Sequence, residues 1–249
     1  MFNPFNSILM NVTLTSLFAF LFLFVFLYPS HGEEDERPNI IVFLVDDYDK
    51  PETSPYGGKV LTPNLDRLVK EGMICHNAHV TSTVCTPSRY TFLTGRYASS
   101  SHSNTFLDEC PKGTQALPAF NVGLESDRMN VGRVLADAGY ATGFVGKYHV
   151  HDTDHSQEHS LFGDLDVPKN AAYTEDLNKR KFKLEKLQRE LVKKNGFTWA
   201  KNIYWGNLKQ PFKGHNPDWT AQAALECIEE HNDQPFYLHC CSTLLHGPN

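Results

Sequence analysis

The chain has 249 residues, 41% of them hydrophobic and 21% charged, which is enough apolar material for one large domain or two small ones. A net charge of −6 and the lack of any Lys/Arg cluster interleaved with aromatics argue against general nucleic-acid binding. Twelve histidines make metal or acid–base chemistry worth following along the chain.

Residues 1–32 contain no Asp, Glu, Lys or Arg. Leu17 to Tyr28 is a continuous apolar run, Ser30-His31-Gly32 supplies small residues before a cleavage point, and charge begins at Glu33. The pattern predicts a secretory signal peptide, without the usual basic start. The competing reading is an uncleaved anchor over Ile8 to Tyr28, which just reaches the roughly 20 residues of a membrane span. Export leads to an oxidising compartment, where Cys75, Cys85, Cys110, Cys227, Cys240 and Cys241 become disulfide candidates. No pair of them has zinc-site spacing.

Asn39 to Val45 is a continuous apolar run of the kind found in a strand buried on both faces of a parallel sheet. It ends in Asp46-Asp47. Functional groups gather at the carboxyl ends of such strands. Two adjacent carboxylates there suit a hard cation with oxygen ligands, or serve only as turn acceptors. Thr62 to Gly72 predicts a helix, with Thr62 as N-cap, Pro63 in the first turn and Gly72 as stop. Met73 to Val80 reads as a second strand. Its His76 and His79 would face opposite ways, which excludes joint ligation of one metal.

Val84-Cys85-Thr86-Pro87-Ser88-Arg89 follows, and Leu93-Thr94-Gly95-Arg96 closes the segment. The proline predicts a helix start beside Cys85, where free N–H groups and the macrodipole favour negative charge. Arg89, one turn on, adds a permanent positive charge. The stretch is thus either an anion site or a buried structural cysteine beside a surface arginine. Ser99 to Asn121 reads as surface decoration near the site. Asn130 to Ala138 predicts a helix and Ala141 to Gly146 a strand, followed at once by Lys147-Tyr148-His149. Val150 to Asn170, with His151, His155 and His159, reads as a loop. Glu175 to Asn195 predicts a charged helix with a stripe of Leu177, Leu184, Leu187 and Leu191. Trp219 to Asn232 predicts a helix, Phe236 to Cys241 a strand, and His246 lies just beyond it. The order implies an α/β fold with a mainly parallel central sheet flanked by helices. Asp46-Asp47, Lys147, His149 and His246 can then converge at one sheet edge.

Taken together, Cys85-Thr86-Pro87-Ser88-Arg89 with Leu93-Thr94-Gly95-Arg96 resembles the signature of the formylglycine-dependent type I sulfatases. Asn39 to Asp47 resembles that family's opening strand with its paired metal-binding aspartates, and Thr62 to Leu68 its first helix. Gly146-Lys147-Tyr148-His149 is similar to a Gly-Lys-Trp-His element, with Tyr148 for tryptophan. His246-Gly247-Pro248 resembles the second active-site histidine, although Leu245 stands where proline is more usual. The resemblance runs from Pro38 to Asn249 and implies an alkaline-phosphatase-like fold. It divides the chain into a signal peptide, 1–32, and the N-terminal part of a sulfatase-like catalytic domain, 33–249.

What the resemblance implies is hydrolysis of sulfate esters. A maturation enzyme oxidises Cys85 to formylglycine, whose hydrate attacks sulfur and later expels sulfate by C–O cleavage, a release route that a serine sulfate lacks. Asp46, Asp47 and the modified Cys85 ligate calcium. Arg89 orients the hydrated aldehyde, Lys147 binds nucleophile and sulfate, and His149 is the base that collapses the intermediate. His246 binds sulfate and protonates the leaving oxygen. The implied partners are the maturation enzyme and a sulfated small molecule or glycan, with no nucleic acid and no stable membrane association after cleavage. The implied location is secreted, periplasmic or lumenal. The family's remaining metal ligands and a second sulfate-binding lysine come later than Asn249, so the resemblance also implies the N-terminal part of a longer enzyme. Two alternatives stay open: a phosphoester or phosphonate hydrolase of the same superfamily, and a non-catalytic binding protein that kept the fold.

Overall fold

Four strands form an all-parallel sheet in the order β1-β4-β2-β3: β1 Ile40–Val45, β2 Ala141–Lys147, β3 Trp199–Tyr204 and β4 Phe236–Ser242. The computed structural model describes residues 37–152, 171–206, 211–212, 216–244 and 246, so the readings placed on residues 1–32, His155 and His159 lie outside it. Among the described residues six helices connect the strands: α1 Pro63–Glu71, α2 Cys85–Thr94, α3 Asn104–Glu109, α4 Val131–Asp137, α5 Glu175–Lys194 and α6 Asn216–Glu230. The mainly parallel α/β reading holds.

Strand periodicity divides the core into two layers. On one face Phe144, Ala200, Ile203, Tyr237 and Cys241 pack with Tyr90 and Leu93 of α2, Phe106 of α3 and Val192 of α5. On the other, Ala141, Val145, Phe236, Leu238 and Cys240 meet Ala223 and Cys227 of α6. Gly143 makes that second contact possible, because a Cβ there would lie 2.4 Å from Cys227 Sγ. Burial of a side chain such as Phe144 is worth about 3–5 kcal/mol against alanine.

Strand β1 is not buried on both faces, as its apolar run suggested. Ile40, Val42 and Leu44 pack on the first layer, while Ile41 and Phe43 are 53% and 61% exposed. The physical reason is coverage: the α6 layer is built on β2 and β4, and β1 is an edge strand. Met73 to Val80 is not a strand either. Its backbone serves other groups, since Tyr56 Oη donates to Cys75 O at 2.9 Å and Lys50 Nζ donates to His76 O. Met73 is 85% and Val80 73% exposed, so no face of that segment is buried.

The fourth strand, β3, carries a bulge instead of a clean apolar pattern. Val145 pairs with Lys201 and Gly146 with Ile203, so Asn202 is the extra residue, at φ 54°, its Nδ2 donating to Trp219 O at 2.6 Å. Segment Ser99 to Asn121 is core as well as surface. Ser103 caps α3 by accepting from Phe106 N, and Phe106 is buried. In α5 the stripe residues Leu177, Leu184 and Leu191 are half-buried and Leu187 is exposed, while Glu185, Gln188 and Val192 are the fully buried positions. Glu185 Oε1 accepts from Ile203 N at 3.3 Å and its carboxylate pairs with Arg189, which explains a buried acid facing β3. All six cysteines are free thiols, so no disulfide candidate is paired.

Gly146 stands at φ 88°, and a Cβ there would lie 2.0 Å from Cys241 O. Gly146→Ala is expected to cost about 3 kcal/mol or more, measured by urea unfolding, because both strain and a backbone clash oppose it. Gly206→Ala, with nothing within 4 Å of the added carbon, should leave stability nearly unchanged.

Candidate active site

The carboxyl ends of three strands deliver the charged groups to one edge of the sheet. Asp46 and Asp47 follow β1, Lys147 ends β2 and is followed by His149, and His246 lies beyond β4. Asp46 N donates to Ser242 O at 3.2 Å, which continues the β1–β4 pairing into the site. Helix α2 brings its N-terminus to the same place. The helix begins at Cys85 itself, so Pro87 occupies its third position. An unpaired N–H is the rule there too, which is why proline fits. Gly95 closes α2 at φ 66° with its N–H on Thr91 O, and Arg96 Nη1 donates to Met129 O at 3.2 Å. Thus the Leu-Thr-Gly-Arg tail is a helix stop and an anchor.

The centre of the site is a buried carboxylate. Lys147 Nζ donates to Asp46 Oδ2 at 2.5 Å, and Arg89 Nη2 lies 3.4 Å from the same oxygen. Asp46 is 7% exposed, Lys147 1% and Arg89 4%. Burial alone would push the Asp46 carboxyl up, but the Lys147 hydrogen bond and the Arg89 and Lys147 charges outweigh it and hold the group below its ordinary value. Arg89 Nη1 also donates to Lys147 O at 2.9 Å, tying α2 to the end of β2.

Cys85 Sγ lies 3.2 Å from His149 Nδ1. Burial, then the positive charges of Lys147 and Arg89, drives His149 down to about 3 against the opposing pull of Asp46. His149 is therefore neutral at physiological pH and can accept a proton at one ring nitrogen. Its backbone is at φ 52° and that of Asp47 at φ 54°, left-handed values uncommon outside glycine. Each such residue directly follows a strand-end partner, so the turns aim the two functional side chains. Thr86 Oγ1 is buried at the start of α2 with no hydrogen-bond partner among the described residues.

Three potential ligands stand together at this edge. Ligand atoms of Asp46, Asp47 and His246 lie within 4.8 Å of one another, and His246 Nε2 is 3.7 Å from Asp47 Oδ2. Two carboxylates fit a hard cation, but the set falls short of the six to eight oxygens that calcium takes. Cys85 joins the cluster through His149 and not through this trio. Two residues that the sequence gave no reason to single out stand beside His149. The Phe120 ring is 5.6 Å from it at 34°, and the Trp205 ring 4.7 Å at 87°. Trp205 follows β3, so finding that strand would have found it. An enclosed cavity of about 120 Å³ lined by Asn104, His151 and Asp152 holds none of these groups.

Residues 38–249 match the family model described as Sulfatase. Human steryl-sulfatase is 37% identical over 138 residues, covering 53% of this chain and 22% of the relative. The N-acetylglucosamine-6-O-sulfatase of Bacteroides thetaiotaomicron is 36% identical over 119 residues, covering 47% and 19%. Among solved structures, Ps i-CgsB in complex with k-i-k-neocarrahexaose superposes with a TM-score of 0.52 at 25% identity, over 86% of this chain and 46% of that one. The aligned parts are thus about a fifth of the curated relatives' length and under half of that solved chain.

Three buried histidines, His149, His151 and His239, are each lowered to about 3, with burial the first cause in every case. In the unfolded chain they take up protons near 6.5, so between that pH and about 3 the unfolded state binds more protons. Their contribution to stability is complete above 6.5 and is lost as pH falls through this window. Unfolding free energy measured at several pH values should therefore decline below neutrality. His239→Phe should reduce the slope by up to one proton, whatever it does to stability at pH 8.

Proposed function

The chain belongs to the Sulfatase family, and from that membership we propose that it carries a centre for hydrolysing sulfate esters to an alcohol and inorganic sulfate. The observation that supports it most is the Cys85–His149 contact at 3.2 Å beside the buried Asp46–Lys147–Arg89 cluster. A modifiable side chain, a neutral base and two fixed positive charges share one edge, as attack on an anionic ester requires.

Cys85 is the precursor of formylglycine, installed by a maturation enzyme, and the aldehyde hydrate supplies a nucleophile with its own release route. Asp46, Asp47 and the modified Cys85 would hold calcium, which when bound would polarise the sulfate oxygens and the nucleophile. Arg89 carries permanent charge in a low-dielectric setting, and with Lys147 it orients the anion against residue 85. His149 Nδ1, aimed at residue 85, holds or accepts the proton of the group there. His246 sits on the exposed side beside Asp47, placed to bind sulfate and protonate the departing oxygen. Relatives named steryl-sulfatase, arylsulfatase D and N-acetylglucosamine-6-O-sulfatase support a sulfated small molecule or glycan as substrate. Among the described residues no helix is long and apolar enough to cross a membrane. The apolar run Leu17 to Tyr28 supports export to a secreted, periplasmic or lumenal location.

Peptide mass spectrometry across Cys85, on protein made in a host with a converting enzyme, should find the aldehyde in place of the thiol. Cys85→Ala should lower turnover of an aryl sulfate by about a thousandfold or more, and a calcium chelator should lower it reversibly. A cysteine left wholly as thiol in that host would sink the proposal.

A further inference from the structure

The charged edge accounts for the sulfate group of the ester but not for the alcohol attached to it. Phe120 and Trp205 flank His149 from two sides, one tilted over the ring and the other edge-on. Phe120 is nevertheless 61% exposed, and neighbouring Leu117 is 64% exposed. An exposed aromatic ring is usually placed by chance on a loose loop, but this loop is pinned from beneath. The buried Asn121 side chain accepts from Ala119 N at 2.8 Å and donates to Glu109 Oε2 at 2.7 Å and Leu117 O at 3.3 Å. The backbone on both sides of Phe120 is therefore fixed, and its ring stands beside His149 while remaining largely exposed. Lys147 and Arg89 are buried and Cys85 is half-buried, and these form the floor that the sulfate-ester reading gives the anion. Whatever the anion is attached to must leave the floor past the aromatic rim.

We infer that Phe120, with Trp205, is the specificity wall for the organic part of the ester, favouring alcohols that present a flat apolar ring face over open-chain alcohols. The inference rests on the sulfate-ester reading above. The ring face is either an arene or the C–H face of a pyranose, since both stack on an aromatic side chain.

Isothermal titration of the full chain with phenyl sulfate, a monosulfated glucosamine, methyl sulfate and inorganic sulfate tests it. A ring ester should bind about tenfold tighter than methyl sulfate, the scale of one good aromatic contact. Phe120→Ala should bring that ratio close to one without weakening methyl sulfate, and Phe120→Tyr should restore it. Advantage for phenyl sulfate alone assigns the arene, and advantage for the sugar as well assigns the pyranose. A ratio unchanged in Phe120→Ala, with the same circular dichroism as the parent, overturns the wall while leaving the sulfate reading intact. Failure of all four probes to bind overturns both.

Discussion

Everything at this sheet edge depends on keeping one buried carboxylate ionised. Asp46 is taken out of water at the end of β1, which by itself favours the neutral acid. Lys147 from β2 and Arg89 from α2 reverse that balance by placing two fixed positive charges on the same oxygen. Three separate elements therefore need one another electrostatically as well as sterically. Removing any one partner would leave an uncompensated buried charge, which generally costs about 3–5 kcal/mol. Burial first, and then the positive charges of Lys147 and Arg89, lower the proton affinity of His149 against the pull of Asp46, so the same cations act on the group facing Cys85.

Backbone strain is concentrated where the chemistry is proposed. Asp47 and His149 are two of the three non-glycine residues at positive φ among those described, and both lie just past strand ends. The third, Asn202, is the bulge residue of β3, opposite the Gly146 step that precedes Lys147. A straight sheet would have continued these strands past the edge. The turns and the bulge end them and point Asp47, Lys147 and His149 toward a common space.

Much of this was legible in the residues. Strands β1, β2 and β4 are apolar runs, and each is followed by polar side chains that a parallel sheet must gather at one end. The helix stop at Gly72 was visible for the same local reasons. Strand β3 was hidden because Lys201 and Asn202 interrupt it. Lys201 reaches out to Glu226 and Asn202 is the bulge, so neither obeys an alternating pattern. Conversely, Met73 to Val80 has a strand's composition but spends its carbonyls on Tyr56 and Lys50. The leucines of α5 marked the right side of the helix except at Leu187, but the buried Glu185 with its own donors is not a pattern that hydrophobicity reveals. Phe120 had no signal at all: its place beside His149 comes from the Asn121 hydrogen bonds, a contact between distant segments of chain.

The sheet order has a consequence for the way the polypeptide comes to be. Strand β1 pairs on β4, and Asn39 Oδ1 accepts from Phe236 N across a separation of 197 residues. Strand β2 also borders β4, so the last strand described is the bridge between the first two. Loop closure on that scale is slow, and a chain emerging from the ribosome cannot begin it until Phe236–Ser242 has been synthesised. The first strand to be made is thus the one that waits longest for its neighbour.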